Sequence, residues 1–163
     1  MLENAIKFTE KYFNGKVDVT DPCYNRDVWC RLNDVKIMQG LYSCYYTEKD
    51  CNDFGKRISE LSIILEPYVS EVVGESYIGY IGVDSGLAGF FENKPDYNDD
   101  EWSDFCKSLK DNENVFENDY GFFSSSGFGD GVYDVYAYVI SGGTAVGLTI
   151  KFIEEPQEDE EDY

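Results

Sequence analysis

The chain has 163 residues, with thirty-three Asp or Glu against thirteen Lys or Arg and no histidine, for a formal net charge of −20. One hydrophobic core is expected at that length, and fourteen Tyr and eleven Phe are too many for a disordered acidic polymer. The composition excludes a phosphate-binding nucleic-acid surface, which needs clustered Lys and Arg, and any Ser-His-Asp or Cys-His nucleophile built within the chain.

Leu2, Ile6, Thr9 and Phe13 share a face at helical spacing, flanked by Ala5 and Tyr12, and predict an amphipathic helix over 2–13 that Asn14-Gly15 ends. Lys16 to Val19 predicts a short strand, and Thr20-Asp21-Pro22-Cys23 a turn. Residues 24–40 read as irregular, with Trp29 as their anchor. Leu41 to Thr47 is aromatic and β-prone, 50–55 reads as a turn, and Lys56 to Leu65 as a strand that stops before Pro67. Ser76 to Val83 and Leu87 to Phe91 predict partner strands around the turn Asp84-Ser85-Gly86. Residues 92–119 form an acidic insert, ten acids against three Lys. It holds a helix over about 99–110 with Trp102, Phe105, Cys106 and Leu109 on one face. Asp99 and Asp100 suit the positive end of its dipole. Gly121 to Ser126, Val132 to Ile140 and Thr144 to Ile153 predict three antiparallel strands, the middle one covered on both faces because Tyr or Val fills nearly every position. The expected fold is α+β and β-rich. It is mainly an antiparallel sheet, sandwich or open-barrel-like, with an N-terminal helix and one inserted helix. A single domain over 1–153 precedes a disordered acidic tail, 154–163.

The charge is unevenly placed. Residues 1–57 hold nine acids and nine bases, 58–153 hold seventeen acids and four bases, and the last ten residues hold seven acids and no base. The five cysteines, Cys23, Cys30, Cys44, Cys51 and Cys106, are odd in number, and Met1-Leu2-Glu3-Asn4 does not open a secretory signal. They read as free thiols in a reducing cytosol. Zinc pairs are usually closer than the repeated six-residue gap of Cys23–Cys30 and Cys44–Cys51. No apolar run approaches a membrane span, so no membrane partner is expected.

Glycine is concentrated where chemistry or a corner is expected. Seven of the fifteen lie in 121–147 and five in 74–89. In strands, such clusters mean bulges, turns or close backbone approach. Ser124 to Gly131 is the densest, and its backbone N–H groups either form an anion nest or simply turn the chain. It lacks the Lys and Ser/Thr of a nucleotide P-loop. Asp21, Asp84 and Asp130 each sit beside Gly, Pro or Ser in a turn. Together they can offer oxygen ligands to Mg²⁺ or Ca²⁺, or each can make a local Asx-turn. Ile81 to Gly86 has the apolar-Asp-Ser-Gly form of aspartic proteases, but that chemistry needs two such carboxylates and the chain has one copy. Tyr42, Tyr45, Tyr46, Tyr133, Tyr136 and Tyr138 read as core and sheet surface rather than a stacking platform.

Taken in order, Asp21-Pro22-Cys23, Val28-Trp29-Cys30, Gly55-Lys56-Arg57-Ile58, Gly82-Val83-Asp84-Ser85-Gly86 and Gly127-Phe128-Gly129-Asp130-Gly131-Val132-Tyr133-Asp134 resemble a family of small β-rich proteins of bacteria and their phages. The resemblance covers roughly 16–153. It implies a cytosolic, single-domain protein of mobile-element context and no established reaction. Two functions are therefore expected. The first is a non-enzymatic acidic protein that occupies a basic surface of a host or rival protein, as an inhibitor or nucleic-acid mimic without direct nucleic-acid contact. Its surface would be Glu92, Asp96, Asp99, Asp100, Glu101, Asp104, Asp111, Glu113, Glu117 and Asp119. The second is a ligand-binding or metal-dependent hydrolytic domain using Asp21, Asp84, Ser85, Gly127, Gly129, Asp130, Gly131 and Tyr133, with any Mg²⁺ or Ca²⁺ on Asp84 and Asp130. No catalytic residue and no obligate cofactor is assigned.

Overall fold

The computed structural model describes residues 2–154 and is a two-sheet antiparallel sandwich, not closed into a barrel. The strands are β1 (Ile6–Phe13), β2 (Lys16–Thr20), β3 (Leu32–Lys36), β4 (Gly40–Asp50), β5 (Lys56–Ile64), β6 (Val72–Val83), β7 (Leu87–Phe91), β8 (Val115–Glu117), β9 (Gly121–Ser125), β10 (Gly131–Ile140) and β11 (Ala145–Lys151), with helix α1 (Asp99–Lys107) between β7 and β8. One sheet has six strands in the order β1-β4-β5-β11-β10-β6, the other five in the order β3-β2-β7-β9-β8.

Strand register builds the core directly. Cys44, Ile63, Leu148 and Ala137 are successive cross-strand partners, and Tyr46, Leu61, Ile150 and Val135 form the next row. These inward rows join Val17, Val19, Phe90 and Phe122 of the smaller sheet in one buried cluster. On the opposite face of β10, Tyr138 is also fully buried, over its register partner Gly147. Both faces of β10 are thus covered there.

A second aromatic cluster lies on the other side of the five-stranded sheet. Phe91 and Phe123 stack at 5.6 Å, Phe105 of α1 lies 5.4 Å from Phe123, and Trp102 stacks on Phe105 at 5.1 Å. The helix begins with a capping box, in which Asn98 Oδ1 accepts from Glu101 N (2.8 Å) and Glu101 Oε1 accepts from Asn98 N (3.0 Å). Phe105 is buried as expected, but Cys106 is exposed and lies off the packed face.

Four expectations change. Residues 6–13 form an edge strand, not a helix. Ile, Phe, Thr and Tyr are strand formers, and pairing with β4 places Phe13 against Tyr42 and Phe8 against Phe122 at ring separations of 5.6 and 5.9 Å. Residues 24–40 contain β3, and Trp29 is 81 % exposed, so the segment is anchored instead by Cys30, Arg31 and Ile37. β6 and β7 are not partners but lie in different sheets, and so do β9 and β10. The turn between each pair is therefore a crossing from one sheet to the other. The tail expectation falls, from residue 155 onward, outside the described residues.

Gly89 shows how tightly the smaller sheet is built. It faces Phe123 in the register of β7 and β9, and a Cβ there would run into the Phe122 carbonyl and the Phe123 backbone. Gly89→Ala is expected to destabilise the fold by about 2 kcal/mol, read from urea unfolding with an unchanged denaturant slope.

Candidate functional site

The two sheet crossings sit side by side. Gly131 pairs with Val83 across β10 and β6, Leu87 with Ser125 across β7 and β9, and Ser126 N donates to Gly86 O at 3.0 Å. The chain leaving β2 reaches the same end, because Thr20 pairs with Gly89. Asp21 therefore arrives beside the Asp84-Ser85 turn.

Asp21 has 0 % exposure. Its Oδ2 accepts from the backbone N–H of Asp84 and of Ser85, both at 2.7 Å. Its Oδ1 accepts from the Ser85 hydroxyl at 2.6 Å and from Cys23 N at 2.8 Å. A buried carboxylate is tolerated only with such a complement of donors, and with four donors the carboxylate has little capacity left for a ligand. Beside it, burial pushes the Cys23 thiol up to about 12, with the Asp21 charge adding to the effect. Cys23 is thus held as a thiol.

The glycine-rich turn is closed on itself. Gly129 N donates to Ser126 O at 2.8 Å, and the Ser126 hydroxyl (2.7 Å) and Tyr133 hydroxyl (2.6 Å) converge on Gly129 O. Gly129 has φ +110°, a conformation that L side chains rarely adopt. Gly127 is buried, whereas Asp84, Asp130 and Gly131 are exposed. Asp130 lies one position beyond the Gly131–Val83 pair and is thereby brought near Asp84 at the strand ends. So Asp21, Asp84 and Ser85 form one cluster with Asp130 at its border, while Tyr133 serves the turn. Among the described residues, no group of three or more His, Cys, Asp or Glu is placed to hold a metal ion.

The six tyrosines do not form one platform. Tyr42 and Tyr138 are fully buried, Tyr45 donates to Glu66 at 2.6 Å, Tyr46 packs on Phe8, and Tyr136 meets Tyr77 edge-on at 5.6 Å.

The ten acids of the insert divide into two sets. Glu92 accepts from Asn14 N at 2.7 Å, Asp96 from Arg26 N at 2.8 Å, Glu101 completes the capping box, and Glu117 pairs with Lys11 at 3.0 Å. Asp99, Asp100, Asp104, Asp111, Glu113 and Asp119 are exposed and make no ion pair among the described residues.

Sequence reasoning missed a second buried carboxylate, Asp18, only 5 % exposed. It accepts from Arg26 Nη1 (2.7 Å), Arg31 Nη2 (2.9 Å) and Asp34 N (2.8 Å). Arg31 is itself buried and donates to Asn33 Oδ1 and Tyr24 O. The available signal was an Asp between Val17 and Val19, at the middle of a strand whose neighbours on both faces are covered. The network borders a cavity of about 360 Å³ shared with Lys16, Asn93 and Lys94.

Comparison with protein-family models, with curated proteins and with solved structures finds no match, so the function must be read from the chain's own chemistry.

Asp21→Ala is expected to cost about 3 kcal/mol or more of stability by stranding buried donors, with Asp84→Ala much milder, both measured by urea unfolding. A pH dependence follows from half-buried Cys23 and buried Cys44. Burial also pushes Cys44 up to about 12 from an ordinary value of 9.0. Between those two values the folded chain keeps protons that the unfolded chain releases, so stability falls as pH rises. Buried Tyr42 and Tyr138 are raised as well and act in the same direction. Thermal scans are expected to show a loss beginning near pH 9 and deepening toward pH 12.

Proposed function

We propose that this is a non-enzymatic binding protein that uses a rigidly presented acidic face to occupy a basic surface of another protein. The observation that carries the reading is the division among the insert's acids. Six of them stay exposed and, among the described residues, without ion-pair partners on a helix and loops pinned to the sheet by a dedicated aromatic cluster. Fixed acids bind with less ordering cost than flexible ones, and a one-signed surface speeds encounter with a basic partner. The absence of histidine from the whole chain fits a role in recognition. The target we propose is a host or rival protein in the cytoplasm, as the sequence resemblance to phage and bacterial proteins would imply.

A ligand or metal site at Asp21, Asp84 and Asp130 is the weaker reading, because both oxygens of Asp21 are engaged in holding two turns. None of the described helices is long and apolar enough to cross a membrane.

The combined variant Asp99→Asn, Asp100→Asn, Asp104→Asn, Asp111→Asn and Glu113→Gln tests the proposal. With a lysine-rich peptide as probe, the wild-type affinity is expected to drop about tenfold or more between low and physiological salt, and the variant to bind weakly with a shallow salt slope. Equal binding by both proteins would remove this face from consideration.

A further inference from the structure

The sandwich has four strand edges, and three are guarded. β1 carries Lys7, Glu10 and Lys11, β3 carries Asp34 and Lys36, and β8 is three residues long. Charge and shortness are the usual devices that stop an edge from pairing with another chain. β6, the other edge of the six-stranded sheet, has neither, and its irregularity is confined to bulges at Val73 and Ile78. It runs for twelve residues with one charged side chain, Glu75, which Lys151 already neutralises at 2.9 Å. Along it Val73 is 70 % exposed and Tyr77 54 %. Among the described residues, only its far end is closed, where Gly82 N donates to Cys30 O at 2.9 Å. Beside the open stretch, Ile78, Val139, Ala137, Val35 and Met38 line an apolar groove of about 500 Å³.

We propose that β6 pairs antiparallel with β6 of a second copy of this chain, joining two six-stranded sheets into one continuous sheet across a two-fold axis. The charge distribution selects this occupant. β6 lies against β2 and β3, which belong to the electrically neutral first third of the chain. The unpaired acids of the insert belong instead to the β7–α1–β8 region, whose strand β8 is at the opposite edge of the smaller sheet. Two copies can therefore meet with the acidic insert turned away, whereas a basic partner finds no unpaired acid within β6 itself among the described residues, the exposed Glu71 and Asp84 lying just beyond its two ends. A single strand edge is also self-complementary in an antiparallel pair, as a two-fold interface requires. An axis near Tyr77 keeps the two Glu75 side chains from facing each other. The stretch from Val73 to Tyr80 spans about 23 Å at the usual rise of a strand, and the bulges at Val73 and Ile78 leave a short ladder of a few hydrogen bonds within it. The pairing leaves the acidic face free, so it is independent of the function proposed above.

Sedimentation of the full chain, over about 1 to 200 µM, tests the proposal through mass action. A monomer–dimer equilibrium is expected that tightens as salt screens the repulsion between two chains of charge −20. Binding to a basic probe weakens with salt, so the two proposals fail separately. Val73→Lys and Tyr77→Lys, both at exposed side chains, are each expected to raise the dimer dissociation constant about tenfold or more, with the far-UV circular dichroism retained. If one variant unfolds, the other carries the test, and amide exchange over 73–80 is expected to slow as wild-type concentration rises. A chain that stays monomeric throughout at high salt, or a dimer that neither lysine weakens, overturns the proposal.

Discussion

The sandwich depends on one buried carboxylate. Two sheets that exchange strands must cross somewhere, and here both late crossings, β6 to β7 and β9 to β10, fall at one end of the molecule. Each crossing exposes backbone groups that no ladder can satisfy. Asp21 takes up the N–H groups of Asp84 and Ser85, and the Gly86 carbonyl in turn accepts from Ser126 at the next crossing. The end of β2, the first crossing and the second crossing are thereby held in one chain of hydrogen bonds. The core rows of β5, β11 and β10 can then face β7 and β9 in a single register.

A second constraint sits on the same strand. Asp18 lies within β2 and Asp21 just past its end, three residues apart, and both are buried acids. Their charges are met differently, that of Asp21 by neutral donors and that of Asp18 by Arg26 and Arg31. This explains the uneven charge. Bases of the first third of the chain are used to neutralise acids, in Arg26 with Asp18 and Asp34, Lys7 with Glu10 and Glu66, and Lys11 with Glu117. Residues 58–153 hold only four bases for seventeen acids, of which Glu66 and Glu117 draw on Lys7 and Lys11, and an excess of acids is left at the surface. Six exposed acids of the insert, without an ion pair among the described residues, consequently lie in the β7–α1–β8–β9 region, in the smaller sheet and not the sheet that β6 edges.

Some of this was legible from local pattern. α1 announced itself through Trp102, Phe105 and Leu109 at helical spacing, and β4, β5, β10 and β11 through their aromatic and β-branched runs. β1 was misread because Leu2, Ile6, Thr9 and Phe13 satisfy a helical period as well, and only pairing with β4 decides between the two. Cys106 fits the helical face by spacing, yet the Phe123 surface has room only for Phe105 and its neighbours. Trp29 looked like an anchor by size alone, but burial of its segment fell to Arg31, a charged side chain that a hydrophobicity argument places outside.

The sequence by itself determined the electrostatic character of this protein, its β-rich content, the inserted helix and the positions of the turns, because these follow from composition and from contacts within a few residues. It also singled out Asp21, Asp84 and Asp130 as unlike the surface acids. What those aspartates do was decided only by tertiary structure. Whether two strands joined by Asp-Ser-Gly become partners or cross between sheets depends on what lies opposite them. Here that is a carboxylate from residue 21, sixty-three residues from Asp84 in sequence. The same long-range packing left β6 as an edge, since a strand acquires one neighbour or two only when the whole sheet is assembled.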